Sequence, residues 1–259
     1  MKTSSLFLKK ILYALPVIAF WWLVWEIAAL WVGSHIILVP PRMAFARLFV
    51  LMQTTEFWLA IATSMRRIMT GFFLALAAGV LIAMAAAASK IFHRLMLPAI
   101  NILNAMPLAS FVLVVLFMFN RQHLSIVVPF VMVMPIIFHN VYKGIKNTDA
   151  DLLEMAQVFS IPFWKKIRFI YVKSVIPFFL SAATIGIGFA WKSGISAELI
   201  GVARGTIGGH LHRAQIGILS VDIFAWTIAI VVLSYLLDKG VRALVRGAGL
   251  ISGGKQFRV

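Results

Sequence analysis

The sequence predicts an all-α integral membrane protein with about six transmembrane helices, and three observations carry that expectation. Of the 259 residues, 62% are hydrophobic and only 12% charged, with a mean hydropathy of +0.99. Soluble domains are roughly 45–50% apolar and about 25% charged, so this chain has too little polar material to cover a water-facing surface. The apolar residues are also gathered into stretches close to the ~20 residues that cross a bilayer. Finally, the 24 Lys and Arg, set against 8 Asp and Glu for a formal net charge of +16, stand in short clusters between those stretches. Nucleic-acid recognition needs basic residues on one continuous solvated face, so the same clustering argues against a nucleic-acid partner. The chain has no cysteine, which removes disulfides and thiolate chemistry from consideration.

Taken in order, the first span falls at about 11–33. Its apolar stretch of about 23 residues exceeds the 7–15 of a signal-peptide h-region, and no small-residue cleavage site follows. The segment 40–60, beginning at Pro40-Pro41 with apolar residues at three- and four-residue spacing, reads as an interfacial amphipathic helix. A second span, 66–88, carries Gly71, Ala75, Gly79, Ala83 and Ala87 every four residues, a ladder of small side chains that lets another helix approach closely. The third, 107–119, is short: it either begins earlier, in the preceding Ile-Leu-Asn-Ala-Met, or crosses as a short or tilted helix. Spans at 124–142, 175–201 and 220–238 complete the set, and the chain reads as one transmembrane domain over 1–259. Cytoplasmic loops carry the Lys/Arg excess. With the N-terminus inside, sixteen of the 24 basic residues fall in inner segments and seven in outer ones, with Lys192 left inside a span. Both termini are therefore expected to be cytoplasmic, with 143–174 as the largest inner loop.

That loop has internal structure. Asp149 and Asp151 precede Leu152-Leu153-Glu154-Met155-Ala156-Gln157-Val158-Phe159, acidic residues where a helix N-terminus favours negative charge. Ser160-Ile161-Pro162 then breaks the helix, with Ser160 suited to a cap and Pro162 to the first turn of a second helix over about 162–171. On pattern alone, the two short amphipathic helices either lie on anionic headgroups or form a docking element.

Here the residues carry a resemblance. The loop resembles the EAA motif of ABC importer permeases, with Glu154-Met155-Ala156 at the Glu-Ala-Ala, Ser160 at the motif glycine, Val172-Lys173 at its Leu-Pro and Pro177 at a second proline. Glu154, Ala156 and Pro177 match; Met155, Ser160 and Lys173 depart. Replacing the glycine means that a tight turn must be made by a residue with a Cβ. Beyond the loop, Ile37–Phe49, Ala62–Met84, Leu152–Gly201, Gly208–Gln215 and Asp222–Leu244 resemble the nitrate/sulfonate/taurine-type permeases, so nearly the whole chain is covered. The turn Phe119–His123 is shorter than that family's and lacks its glycines.

The resemblance implies a type I, MetI-like permease subunit in the bacterial cytoplasmic (inner) membrane that catalyses no reaction of its own. It implies a second permease copy, making a homodimer, together with ATP-binding cassette ATPase subunits and an extracytoplasmic solute-binding protein. ATP and Mg²⁺ would sit on the ATPase, leaving no cofactor in this chain. Glu154, Met155, Ala156, Ser160, Ile161, Pro162 and Phe163 would couple to the ATPase. The imported solute would be small, an organic or inorganic anion such as a sulfonate.

Three charged residues are candidates for the translocation pathway: Lys192, Glu26 and Glu198. Charges inside spans are rare and usually functional. Lys192 either faces the path and attracts an anion, pairs with Glu26 at similar depth, or snorkels outward or meets Glu198. Gly249–Gln256 nearly spells a phosphate-binding loop, but Gln256 replaces the Mg²⁺-binding hydroxyl and no strand precedes it. His210 and His212 alone do not make a metal site, which needs a third protein ligand. The rival readings are a membrane-embedded enzyme, for which the scattered carboxylates offer no convergent site, and a scaffold that only docks a cytoplasmic partner.

Overall fold

The structure, a computed structural model, describes residues 2–251, and every regular element among them is helical. In chain order these are α1 (Lys2–Val32), α2 (Pro41–Met52), α3 (Thr55–Ala88), α4 (Lys90–Ala105), α5 (Leu108–Met118), α6 (Leu124–Lys146), α7 (Ala150–Val158), α8 (Phe163–Lys166), α9 (Val172–Gly201), α10 (Ile207–Ile216) and α11 (Ser220–Ile251). A 3₁₀ turn at Arg121–His123 precedes α6, and a π turn at Ile167–Tyr171 joins α8 to α9. Five helical runs are long and apolar enough to cross a membrane, or six if the bent pair α4–α5 counts as one span. Most of the Gly249–Gln256 segment lies outside the described residues.

Three elements differ from the sequence expectation, each for a local reason. The amphipathic segment expected over 40–60 is two helices, because Thr54 ends one and starts the next: its hydroxyl donates to the Leu51 carbonyl (2.7 Å) and accepts from the Phe57 N–H (3.4 Å). The second span therefore begins at Thr55, well before the expected 66, so that Arg66 and Arg67 lie inside the helix and not at its start. The short third span is preceded by a separate helix, α4, capped by the Ser89 hydroxyl accepting from the Phe92 N–H (3.3 Å), and α5 leaves it at 110°. Pro107 is the cause: it holds Met106 extended (φ −71°, ψ 127°) and has no N–H with which to continue the helix. At eleven residues, α5 is about 16 Å long, well short of a ~30 Å hydrocarbon core.

The chain divides into two compact units. In the larger, residues 59–209 and 232–259, α3, α6 and α9 form the core. α9 runs antiparallel to α6, with Gly201 against Leu124, Gly186 against Val133 and Gly144 against Phe178. Two steps of the small-residue ladder, Gly71 and Gly79, meet Ile126 and Ile137 of α6, while Ala75 and Ala83 are fully buried. A Cβ at Gly79 would lie 2.7 Å from that of Ile137, so the small side chains set the helix spacing. In the smaller unit, residues 1–58 and 210–231, the Trp25 indole donates to the Val39 carbonyl (3.0 Å) and Trp22 packs on Phe45 with ring centroids 5.1 Å apart. These contacts give Trp22 and Trp25 of α1 a packing role against the turn and helix that follow.

Candidate functional site

The loop between α6 and α9 forms from its caps outward. Asp149 accepts the Asp151 N–H on its side chain (2.9 Å) and starts α7, with Asp151 in the positive first turn. At the other end, the Ser160 N–H reaches the Gln157 carbonyl (3.0 Å) and the Ile161 N–H the Ala156 carbonyl (2.9 Å). This is a Schellman closure, which places one residue in the left-handed region. That residue is Ser160, at φ +49°. The sharp bend is thus made here by a residue with a Cβ. Pro162 then opens the next helix, with the Lys165 N–H bonding back to its carbonyl (2.9 Å).

The second short helix expected over 162–171 is not separate. No glycine or further proline interrupts Phe163–Ser174, and the Val172 N–H bonds to the Ile167 carbonyl across the π turn, so the helix passes directly into α9 as one run from Phe163 to Gly201. Within α7 only Ala156 is buried. Glu154, Met155 and Ser160 are exposed, as are Pro162 and Phe163, and Ile161 is half-buried. The largest apolar side chains point into open space, with Val158 80%, Phe159 72% and Trp164 78% exposed. Phe159, Ile161, Pro162, Lys165, Phe169 and Ile170 line a cavity of about 430 Å³ beside them.

On α9, the residues turned away from α3 and α6 recur at helical spacing: Ser181, Ile185, Phe189 and Lys192 are exposed, with Gly188 and Ser196 half-buried. Lys192 thus lies on an open face of the longest span. Glu198 points the other way and is fully buried at 0% exposure. One of its oxygens accepts from the Ser64 hydroxyl of α3 (2.8 Å) and from the Gly208 N–H (3.2 Å), while Ser64 Oγ accepts the Ile207 N–H (3.0 Å). The buried carboxyl therefore caps the first turn of α10, where N–H groups otherwise lack partners. Thr206 adds a cap of its own: its hydroxyl accepts the Gly209 N–H (3.1 Å). A Cβ at Gly208 would overlap that of Glu198, so glycine is required for this approach.

Glu26 is used within its own unit. Arg42, at the start of α2, lies 3.2 Å from it. Arg47 makes a two-pronged contact with Asp222, Nη2 to Oδ2 being 3.3 Å, and this hydrogen bonding pushes the guanidinium further up from its usual range. Beside that pair is a cavity of about 420 Å³ lined by residues including His35, Ser220 and Leu219. Farther along, Glu56 meets Arg213 (3.2 Å) and His210 (3.6 Å), and the His210 ring stacks on Trp226 with centroids 4.8 Å apart. Burial and the adjacent Arg213 charge hold the His210 imidazole below its usual range, with Glu56 acting in the opposite direction.

Sequence reasoning missed Ser64 and Gly208. Ser64 stands beside Thr63 on an apolar helix that also carries Thr70, and what sets it apart is that a buried polar group needs a partner. Gly208 follows Thr206, a helix-start residue, but nothing in the sequence ties that start to Glu198.

Comparison with known proteins was made against this geometry. Residues 75–248 match the family model described as the binding-protein-dependent transport system inner membrane component. The chain is 25% identical over 229 residues to the taurine transport system permease protein of Escherichia coli, covering 86% of this chain and 82% of the relative. It is 27% identical over 241 residues to a Bacillus subtilis protein described as an aliphatic sulfonates transport permease (92% and 86% covered). With the nitrate import permease protein of Synechococcus elongatus it shares 28% identity over 151 residues (58% and 54%). A chain of the MetNI methionine ABC transporter, solved in inward-facing conformations, superposes with a TM-score of 0.55 at 19% identity, over 73% of this chain and 93% of that one.

Proposed function

The chain belongs to the family of binding-protein-dependent transport system inner membrane components, the permeases of ABC importers, and on that premise we propose that it lines the path of a small anion and is driven by a separate ATPase docked on α7 and α8. One observation carries the docking: Val158, Phe159, Phe163 and Trp164 are exposed together on a loop that leads without a break into α9. Aromatic side chains bury about 150–250 Å² each and dominate interface energetics. A helix pair that presents them outward while burying only Ala156 is built for a partner. Glu154, Met155, Ala156, Ser160, Ile161, Pro162 and Phe163 are then the contact region. ATP and Mg²⁺ belong to the ATPase.

Lys192 supports the choice of an anion. Lys192 lies nine residues from the Gly201 end of the run, and a charged side chain facing hydrocarbon within a span is costly, so the open face of α9 is better suited to an aqueous path or a second copy of the chain than to lipid. Of the three pathway candidates, Glu26 is engaged by Arg42 and Glu198 by Ser64 and Gly208, which leaves Lys192 to meet solute. The names of the relatives fit an anionic group: nitrate import names an anion, and taurine, although zwitterionic, carries a sulfonate. The basic excess supports a cytoplasmic position for both termini and the α7–α8 loop, and a solute-binding protein would deliver from the opposite side.

Purification of the tagged chain from its native membrane under gentle conditions tests this reading. ATPase subunits should accompany it, and the complex should hydrolyse ATP faster when the binding protein and its solute are added. A chain that purifies alone and without ATP hydrolysis would overturn the proposal in favour of a scaffold.

A further inference from the structure

The run from Phe163 to Gly201 is 39 residues, about 58 Å of helix at 1.5 Å per residue. The docking loop lies at one end and Glu198 is one turn from the other. At that end the chain reverses tightly: Val202 takes φ +53° and the Ala203 N–H returns to the Glu198 carbonyl (3.0 Å), after which α10 begins at Ile207. The five-residue connection holds two left-handed residues, Val202 and Gly205, and across it a side chain ties the first turn of α10 to α9. The link is the carboxyl.

We propose that Glu198 is a positioning residue that makes α10 follow α9, so that motion entering at the α7–α8 loop is delivered to α10 through the Glu198–Ser64–Gly208 knot. This rests on the transport reading above and goes beyond it by naming the device at the far end of the helix. Three features support it. The carboxyl is fully buried, so it binds nothing from solvent. It holds the first turn of α10 through the Gly208 N–H directly and the Ile207 N–H by way of Ser64. Gly208 has no room for a side chain at this contact, so α10 cannot slide over Glu198. Removing one partner of a buried polar contact leaves the rest unsatisfied, so the knot holds as a unit or opens as one. Among the described residues the second carboxyl oxygen and Ser125 Oγ lack a close hydrogen-bond partner, and the Ser125 hydroxyl bears on the same carboxyl. A glutamine amide therefore fits in place of the carboxyl.

The absence of cysteine makes the test direct. A single cysteine placed at exposed Gln215 on α10 is labelled with a membrane-impermeant maleimide in the assembled complex, once without nucleotide and once trapped with ATP and vanadate. In the Gln215→Cys parent the labelling rate should change on trapping by about fivefold or more. The change should persist with Glu198→Gln added and vanish with Glu198→Ala or Ser64→Ala. Ser64→Ala removes only a hydroxyl and serves if Glu198→Ala fails to assemble. A change that survives both truncations, a parent without any change, or a Glu198→Gln variant that behaves like Glu198→Ala would each overturn the proposal. Failure of the tagged parent to bring an ATPase with it would instead sink the transport reading itself.

Discussion

Replacing Ser160 by glycine should tighten the turn that ends α7. Ser160 is exposed and sits at φ +49° in a Schellman closure whose two return bonds, Ser160 to Gln157 and Ile161 to Ala156, fix that angle. The left-handed region costs a residue with a Cβ about 1–2 kcal/mol. Glycine escapes that cost but loses about 0.5–1 kcal/mol more conformational freedom on ordering. The balance is a gain of about 0.5–1 kcal/mol, or about two- to fivefold in the local opening equilibrium. Hydrogen exchange of the detergent-purified protein, read on amides 153–161, measures it: Ser160→Gly should slow exchange by that factor, and Ser160→Ala, which keeps the Cβ, should not. Equal or faster exchange in the glycine variant would refute the strain argument. The comparison also separates fold from function, because a tighter turn should leave the exposed face of Val158, Phe159 and Trp164 unchanged.

Three other outcomes are expected. Lys192→Met should abolish ATP-dependent anion uptake into proteoliposomes while leaving assembly and basal ATP hydrolysis intact; normal uptake would remove Lys192 from the path. Gly208→Ala, whose Cβ would overlap Glu198, should cost about 1–3 kcal/mol and lower the melting temperature of the purified protein by several degrees, whereas Gly240→Ala, with nothing within 4 Å, should not. The imidazole of His210 is held below its ordinary 6.5, so the unfolded chain binds its proton first, and stability falls as pH drops through 6.5 and below. His210→Gln should flatten that dependence in a thermal-shift series; an unchanged slope would assign it to other groups.

How much was legible in the sequence depended on the range of the interaction. The spans followed from composition and length because the bilayer imposes both, and the ends of the α7 turn were readable from Asp149 and Pro162, both local signals, whereas Ser160, expected as a cap, takes the left-handed turn position instead. The α4–α5 bend was half-visible: the shortness of the apolar stretch was plain, but that Pro107 would turn it through 110° required seeing α4, which lies between the expected second and third spans. The continuity of α8 with α9 was missed because the short helix over 162–171 was bounded by its amphipathic pattern, although no glycine or proline ends a helix within Phe163–Ser174. Glu198 shows the limit most clearly. Its partners Ser64 and Gly208 are 134 and 10 residues away, and no periodicity links them. Glu26 likewise took a partner from the next helix, Arg42, because Trp25 and Val39 bring that turn close.

The central claim is that the exposed apolar face of α7 and α8 receives an ATPase subunit. Replacing Phe159 by photoreactive p-benzoylphenylalanine and irradiating the native membrane tests it directly, because the side chain is 72% exposed and reports whatever lies against it. The account predicts a covalent adduct with a nucleotide-binding subunit, identified by mass spectrometry of the tagged product, and a loss of the complex's ATP-driven uptake on irradiation. Adducts with lipid alone would contradict it and return the loop to a pair of helices resting on headgroups.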